Sequence, residues 1–298
     1  MTTTELSPPA AATDRAALTV RGLRKQYGGR TVLDGLDLDV RPGECFALLG
    51  PNGAGKTTTI EILEGVRTRD GGEVTVLGED PAGAGRTWRS RIGVVSQGEP
   101  AGQALSVREA LDHFARYHAT PRTTADLLEA VGLTEQTGTR VGRLSGGQRR
   151  RLAVALGVQG RPELVFLDEP TTGMDPVARR QFWDLVRGLR AEGTTVLLTT
   201  HYLDEAAELA DRVGVVAGGR LVEVAPPAVL GADLRRTATV SWAWDGTRHE
   251  VRTETPAAVL RDLLAGHPDG EVPGLTVTRP SLEDVYLALV AATGGETR

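Results

Sequence analysis

From Leu18 onward the chain alternates apolar and polar residues at a period of two. LTVRGL and LDGLDLDV each put every second side chain on one face, the pattern of a half-buried strand. ECFALLG (44–50) is mostly apolar and of strand length; a Gly-rich turn follows, and TTTIEILEG then reads as a helix. EVTVLG (73–78) and RIGVVSQ (91–97) predict further strands. Residues 106–158 are mostly helical, in SVREALDHFARYH, TADLLEAVGL and GGQRRRLAVALGV. Strands return at LVFLD (164–168), TTVLLTTH (194–201) and RVGVVAGGRLVEV (212–224), with a helix from Pro176 to Ala191 between the first two. Strands apolar on both faces and alternating with helices predict an α/β fold whose mostly parallel sheet is covered on both sides. An antiparallel β part precedes it, and the helical block, about 98–158, interrupts it as an inserted subdomain.

Pro226–Pro227 marks a boundary. Beyond it TATVSWAW alternates cleanly, Asp245-Gly246 signals a turn, and HEVRTE reads as a second strand. PAAVLRDLLAG is a short helix, LTVT a third strand, and Ser281 opens a last helix with Asp284 in capping-box range. The expected organisation is a disordered tail at 1–16, a main domain at 17–230 and a small α+β extension at 231–298.

The chemistry begins at GPNGAGKT (50–57), which matches G-x-x-x-x-G-K-[ST] between a predicted strand and a predicted helix. Asn52, Gly53, Ala54 and Gly55 curl the backbone so that its amides form an anion nest, and the following helix adds its positive end. Lys56 supplies a point charge to β- and γ-phosphates, the Thr57 hydroxyl faces Mg²⁺, and Thr58 lies in the same first turn. LVFLDE (164–169) is a buried strand ending in two carboxylates. Asp168 is placed to hold Mg²⁺ through water and Glu169 to polarise an attacking water. A second anion site stands at LSGGQ (144–148), where Ser145, Gly146, Gly147 and Gln148 open an apolar helix. Ser145 also has the geometry of a helix N-cap, and the two roles are compatible.

Composition sharpens this. Of 34 basic residues only Lys25 and Lys56 are lysines, so a lysine in the phosphate-loop position is not compositional noise. A net charge of −5 does not suggest a general nucleic-acid binder. Cys45 is the only cysteine, which precludes an internal disulfide and fits a reducing compartment. No segment approaches the ~20 apolar residues of a transmembrane helix, so a membrane role is expected to come through a partner.

From Leu18 to Val224 the motifs, in order, resemble the ATP-binding subunits of ABC transporters. That resemblance implies a nucleotide sandwiched between the phosphate loop of one subunit and the LSGGQ of a second ABC ATP-binding subunit, an identical copy in a homodimer. It implies ATP and Mg²⁺ as cofactors, with Tyr27 stacked on adenine and Gln97 touching Mg²⁺. His201, at the end of TTVLLTTH, matches the histidine that contacts the γ-phosphate. TTGMD (171–175) matches the segment that meets the opposing subunit, with Met174 where leucine is commoner; Asp175 before Pro176 is also a good N-cap. TTTIEILEGVRTRDGGEVTVLGEDP (57–81) and PSLEDVYLALV (280–290) resemble the drug- and antibiotic-exporter branch (ABC-2 type, daunorubicin-resistance-like). The branch implies a separate multi-helix membrane permease, with this chain on the cytoplasmic face of the membrane. Alternatives are a soluble ABC ATPase acting on ribosomes or nucleic acid, an importer subunit, and a non-hydrolysing regulator. The single ATP-binding half, the lack of a heptad run and the short C-terminal extension weigh against the first two, and intact Lys56, Asp168, Glu169 and His201 against the third.

Overall fold

The computed structural model describes residues 16–96, 98, 102–266 and 271–294. The predicted tail, apart from Ala16, and the site candidate Gln97 lie outside the described residues. The chain opens with β1 (Leu18–Tyr27), β2 (Arg30–Val40), β3 (Cys45–Leu49), α1 (Lys56–Leu63), β4 (Gly71–Val76), α2 (Arg86–Arg89) and β5 (Ile92–Val95). A helical stretch follows: α3 (Val107–Ala115), α4 (Thr124–Ala130) and α5 (Gly146–Val158). The sheet resumes through β6 (Leu164–Asp168), α6 (Pro176–Ala191), β7 (Thr195–Thr199), α7 (Leu203–Leu209), β8 (Arg212–Ala217) and β9 (Arg220–Ala225). Last come α8 (Ala232–Arg236), β10 (Ala238–Trp244), β11 (Thr247–Thr253), α9 (Pro256–Ala265), β12 (Thr276–Thr278) and α10 (Leu282–Gly294).

A six-stranded sheet in the order β5-β6-β7-β3-β8-β9 is the centre of the molecule. Its strands are parallel except β9, which runs antiparallel to β8. All five residues of β3, β6 and β7 are buried, as runs apolar on both faces require. Alternate residues serve two different cores: Cys45, Ala47 and Leu49 face α3 to α7, while Phe46 and Leu48 face α1, Trp88 and the N-terminal strands. Each such fully buried Leu, Val or Phe contributes roughly 1.5–3 kcal/mol. The N-terminal strands form their own antiparallel sheet, β2-β1-β4.

The helical stretch is the crossover between the parallel neighbours β5 and β6. Its α5 lies hard against β5. A Cβ on Gly93 would come 2.2 Å from the Gly157 carbonyl oxygen, and one on Gly157 would come 2.6 Å from Val95 Cγ2. Local caps set the helix starts. Ser106 with Glu109 and Ser145 with Gln148 are capping boxes, and Asp175 Oδ1 accepts from Val177 and Ala178 amides at 2.9 Å. The predicted Ser281–Asp284 box is present as well, the Asp284 amide donating to Ser281 Oγ at 3.2 Å.

Three short helices were not predicted: α2, α7 and α8. Each spans at most two turns, too short for a periodic apolar stripe to register. The run 212–224 resolves into a hairpin because Gly218 and Gly219, both at positive φ, turn the chain between β8 and β9. The third sheet, β11-β10-β12, carries α9 on one side. The final helix α10 does not stay with it alone. It packs on β8, and Val285, fully buried, joins the main core beside Leu230.

Candidate functional site

Because β3, β6 and β7 are parallel neighbours, whatever follows their C-terminal ends meets at one edge of the sheet. The phosphate loop follows β3, Glu169 follows β6, and His201 follows β7. Gly53 and Gly55 adopt φ of +82° and +102°. At Gly55 the tight approach is explicit: a Cβ would come 2.6 Å from Leu33 Cδ2 and 3.1 Å from the Val32 carbonyl oxygen. The loop is therefore pressed against the start of β2 and can carry no side chain there.

Lys56 is 6% exposed, and its Nζ donates to the Gly50 carbonyl at 2.7 Å and the Pro51 carbonyl at 3.3 Å. Burial lowers its pKa, while the charges of Glu169 and Asp168 oppose that. Thr57 Oγ1 donates to Asp168 Oδ2 at 3.1 Å, and Thr199 donates its hydroxyl to Asp168 Oδ1. The same Thr199 accepts the Glu169 amide, at 3.1 Å through its hydroxyl and 3.0 Å through its carbonyl. Glu169 itself sits at φ +49°, a strained conformation for a residue with a Cβ. Its Oε2 lies 3.5 Å from His201 Nδ1.

Two clefts result. The first, about 510 Å³, is lined by Asn52, Gly53, Gly55, Lys56, Thr57, Thr58 and Glu169, joined by Arg30 and Val32. The second, about 840 Å³, is lined by Ser145 to Gln148, by Thr172 to Asp175 and again by Glu169. Glu169 is the one residue lining both, and no phosphate-loop residue lines the second. Ser145 Oγ accepts the Gln148 amide at 3.2 Å, so its capping role is occupied locally. Ala54 is buried in the loop. Tyr27 does not line the first cleft. It pairs with Arg30 across the hairpin, its ring 5.2 Å from Arg67 Cζ and 5.5 Å from Lys25 Nζ. Asp175 is held below its usual carboxylate range, chiefly by the Ala178 amide.

The donor set of the first cleft suits a polyphosphate: loop amides, a buried lysine and two threonine hydroxyls beside a helix N-terminus. Mg²⁺ also fits. Thr57 and Asp168 bring two hard oxygens together, and among the described residues no cluster of three or more His, Cys, Asp or Glu could cage a metal unaided. Such a pair of oxygens would suit a hard divalent cation that takes further ligands from phosphates and water.

Sequence reasoning missed several residues here. Arg30 lines the phosphate cleft from the tip of the first hairpin, directly after the Tyr-Gly-Gly turn. Arg150 reaches the carbonyls around Glu169 from α5. Glu205, on the unpredicted α7, is fully buried; burial pushes its carboxyl up, against the polar groups of Thr200, Thr171 and Trp183. Glu64, at the end of α1, is pushed up to about 8 by burial and by the charges of Asp168 and Glu61. Its ordinary value is 4.5, so the folded protein holds a proton that the unfolded chain releases. Stability is therefore expected to fall as pH rises from about 4.5 to about 8, then level off. Glu64→Gln removes that penalty. Thermal melts should show the variant gaining about 2 °C or more at pH 8.5, the shift that ~1 kcal/mol gives, and nothing at pH 4.5.

A phosphate loop after β3 and an Asp-Glu pair at the end of β6, at one edge of a parallel sheet, define a P-loop ATPase. The family model "ABC transporter" matches residues 33–172. A "Nod factor export ATP-binding protein I" of Ralstonia nicotianae is 40% identical over 94% of this chain and 95% of its own length. The chain belongs to the ABC transporter ATP-binding family, and it is an ATP-hydrolysing enzyme. The protein of the same name from Neorhizobium galegae is 42% identical, over 78% of this chain and 68% of its own. Among solved structures, an ATP-binding subunit of an ABC transporter gives a TM-score of 0.66 at 26% identity, over 74% of this chain and 92% of that one. A dimeric post-hydrolysis ATP-binding cassette bound to ADP and Pi shares the fold, with a TM-score of 0.63 at 21% identity over 70% and 98%.

Proposed function

We propose that this chain powers export of a drug-, antibiotic- or lipid-like compound by hydrolysing ATP as one of two identical subunits beneath a separate membrane permease. Its relatives, named as Nod factor export ATP-binding proteins, support export. No helix among the described residues is long and apolar enough to cross a membrane, which is consistent with a permease carrying the transport path. Residues 17–230 are the ATP-binding unit in this reading, and 231–298 an extension that reinforces the dimer or shields the site.

The observation that carries the two-subunit reading is the separation of the clefts. The LSGGQ cleft contains no phosphate-loop residue of its own chain. In this reading the Gly146 and Gly147 amides, beside the local Ser145–Gln148 cap, meet a nucleotide brought by another copy. On closure, Lys56 and the amides of Asn52 to Gly55 hold the β- and γ-phosphates. Thr57, Gln97 and Asp168, the last through a water, would hold Mg²⁺, which would supply positive charge against the phosphates. Glu169 orients the attacking water and takes its proton, and His201, beside Glu169, steadies the γ-phosphate. Tyr27 stacks on adenine. Ser145, Gly146, Gly147 and Gln148 of the second copy grip the γ-phosphate, and Asp175 meets the opposing subunit. Loss of that phosphate after hydrolysis removes the tether and the dimer opens.

Ser145→Arg tests the reading. In MgATP, sedimentation should show dimers of the parent chain and monomers of the variant. The variant should keep its nucleotide affinity and lose about 10²-fold or more in hydrolysis, the effect of removing a transition-state donor. A variant that hydrolyses at the parental rate would overturn the shared site.

A further inference from the structure

Arg150 stands one turn into α5, the helix that LSGGQ opens, near its positive end, where a cation gains nothing from the helix dipole. Its guanidinium is turned inward and spans three carbonyls. Nε donates to the Pro170 carbonyl at 3.0 Å, Nη2 to that of Asp168 and Nη1 to that of Ser96. Asp168 and Pro170 are the residues on either side of Glu169, and Ser96 directly follows β5. Burial lowers the Arg150 pKa, with the carboxylates of Asp168, Glu169 and Glu205 opposing it. Within a planar fork, the three donors are fixed relative to one another, so the carbonyls they hold are fixed too. Glu169 needs such support. Its backbone is at φ +49°, and Thr199 holds only its amide.

We propose that Arg150 is a positioning residue that ties the LSGGQ helix to the backbone of Glu169, so that a nucleotide gripped by Ser145 in one cleft alters the aim of Glu169 at the other. The proposal rests on the two-subunit reading above. In a closed dimer the nucleotide touching Ser145 of a chain and the nucleotide facing Glu169 of that chain are different molecules. One side chain thus links the two sites. A shift of α5 on gripping a γ-phosphate moves the carbonyls flanking Glu169, and a misplacement of 1 Å at a reacting group costs on the order of 10²-fold in rate. The coupling is reciprocal: a chain whose Glu169 is engaged holds α5, and so Ser145, in the gripping position.

The test compares Arg150→Met and Arg150→Lys with the parent protein. Measured quantities are kcat, the ATP dependence of the rate, MgATP affinity by titration and the thermal midpoint. Arg150→Met should lower kcat by about 10- to 100-fold, bring the Hill coefficient to about 1, and leave MgATP affinity within about twofold. Arg150→Lys, whose point charge reaches one carbonyl at a time, should fall between. A merely structural role would lower the thermal midpoint and leave the Hill coefficient of the folded fraction where it was. A folded Arg150→Met with parental kcat and Hill coefficient overturns the proposal; if that variant does not fold, the same result with Arg150→Lys does so. A parent protein that is monomeric in MgATP and non-cooperative sinks the two-subunit reading as well, which separates the two failures.

Discussion

Glu169→Gln should slow ATP hydrolysis by about 10²- to 10⁴-fold while MgATP binds nearly as before. The substitution keeps the side chain's volume and its reach toward His201 but removes the basic oxygen. The other carboxylate at the strand end is not free to take the proton. Asp168 is 3% exposed and already committed on both oxygens to Thr57 and Thr199. A single-turnover assay with labelled ATP reads the chemical step directly, and sedimentation should find the ATP-held dimer accumulating. Glutamine is the right replacement because the position lies at φ +49°, where a change of backbone preference would confuse the result. Turnover of Glu169→Gln at the parental rate would remove Glu169 from the role of base.

Lys56→Ala should weaken MgATP binding by about 10- to 100-fold, the equivalent of the ~1.5–3 kcal/mol carried by a hydrogen bond to a charged partner. The lysine's ammonium now rests on the carbonyls of Gly50 and Pro51, at the base of the loop that it must serve. It is thus pre-positioned at the base of the cleft. Calorimetric titration checks the affinity, and adenosine is the control, since a ligand without phosphates should bind both proteins equally. Unchanged MgATP affinity would count against the phosphate-loop assignment.

Those two residues were legible in the sequence because their chemistry is local. A lysine after two spaced glycines and before a threonine, following an apolar strand and opening a helix, is a pattern that singles itself out as a phosphate-loop candidate, and the glycines at 53 and 55 adopt positive φ. Parallel strands could be read from runs apolar on both faces, and the caps at Ser145, Asp175 and Ser281 from their spacing. Arg150 was not legible in this way. It sits in a run of three arginines, and its meaning lies in carbonyls contributed by two strand ends far away in sequence. Arg30 was hidden similarly, because only the folding of the hairpin over the loop makes it a neighbour of Lys56. Glu205 gave no signal in the sequence, because only the packing of α7 buries its carboxylate.

The return of α10 to β8 gives the chain's two ends of logic a shared fate. A Cβ at Gly231 would come 2.2 Å from Val285 Cγ1, so the last helix is wedged into the joint where the main sheet hands over to the small one. Trimming the protein after the paired prolines would therefore not be a clean excision. It would strip an apolar lid from the outer strands and leave the motor with a wet flank, prone to stick to whatever hydrophobic surface it met first.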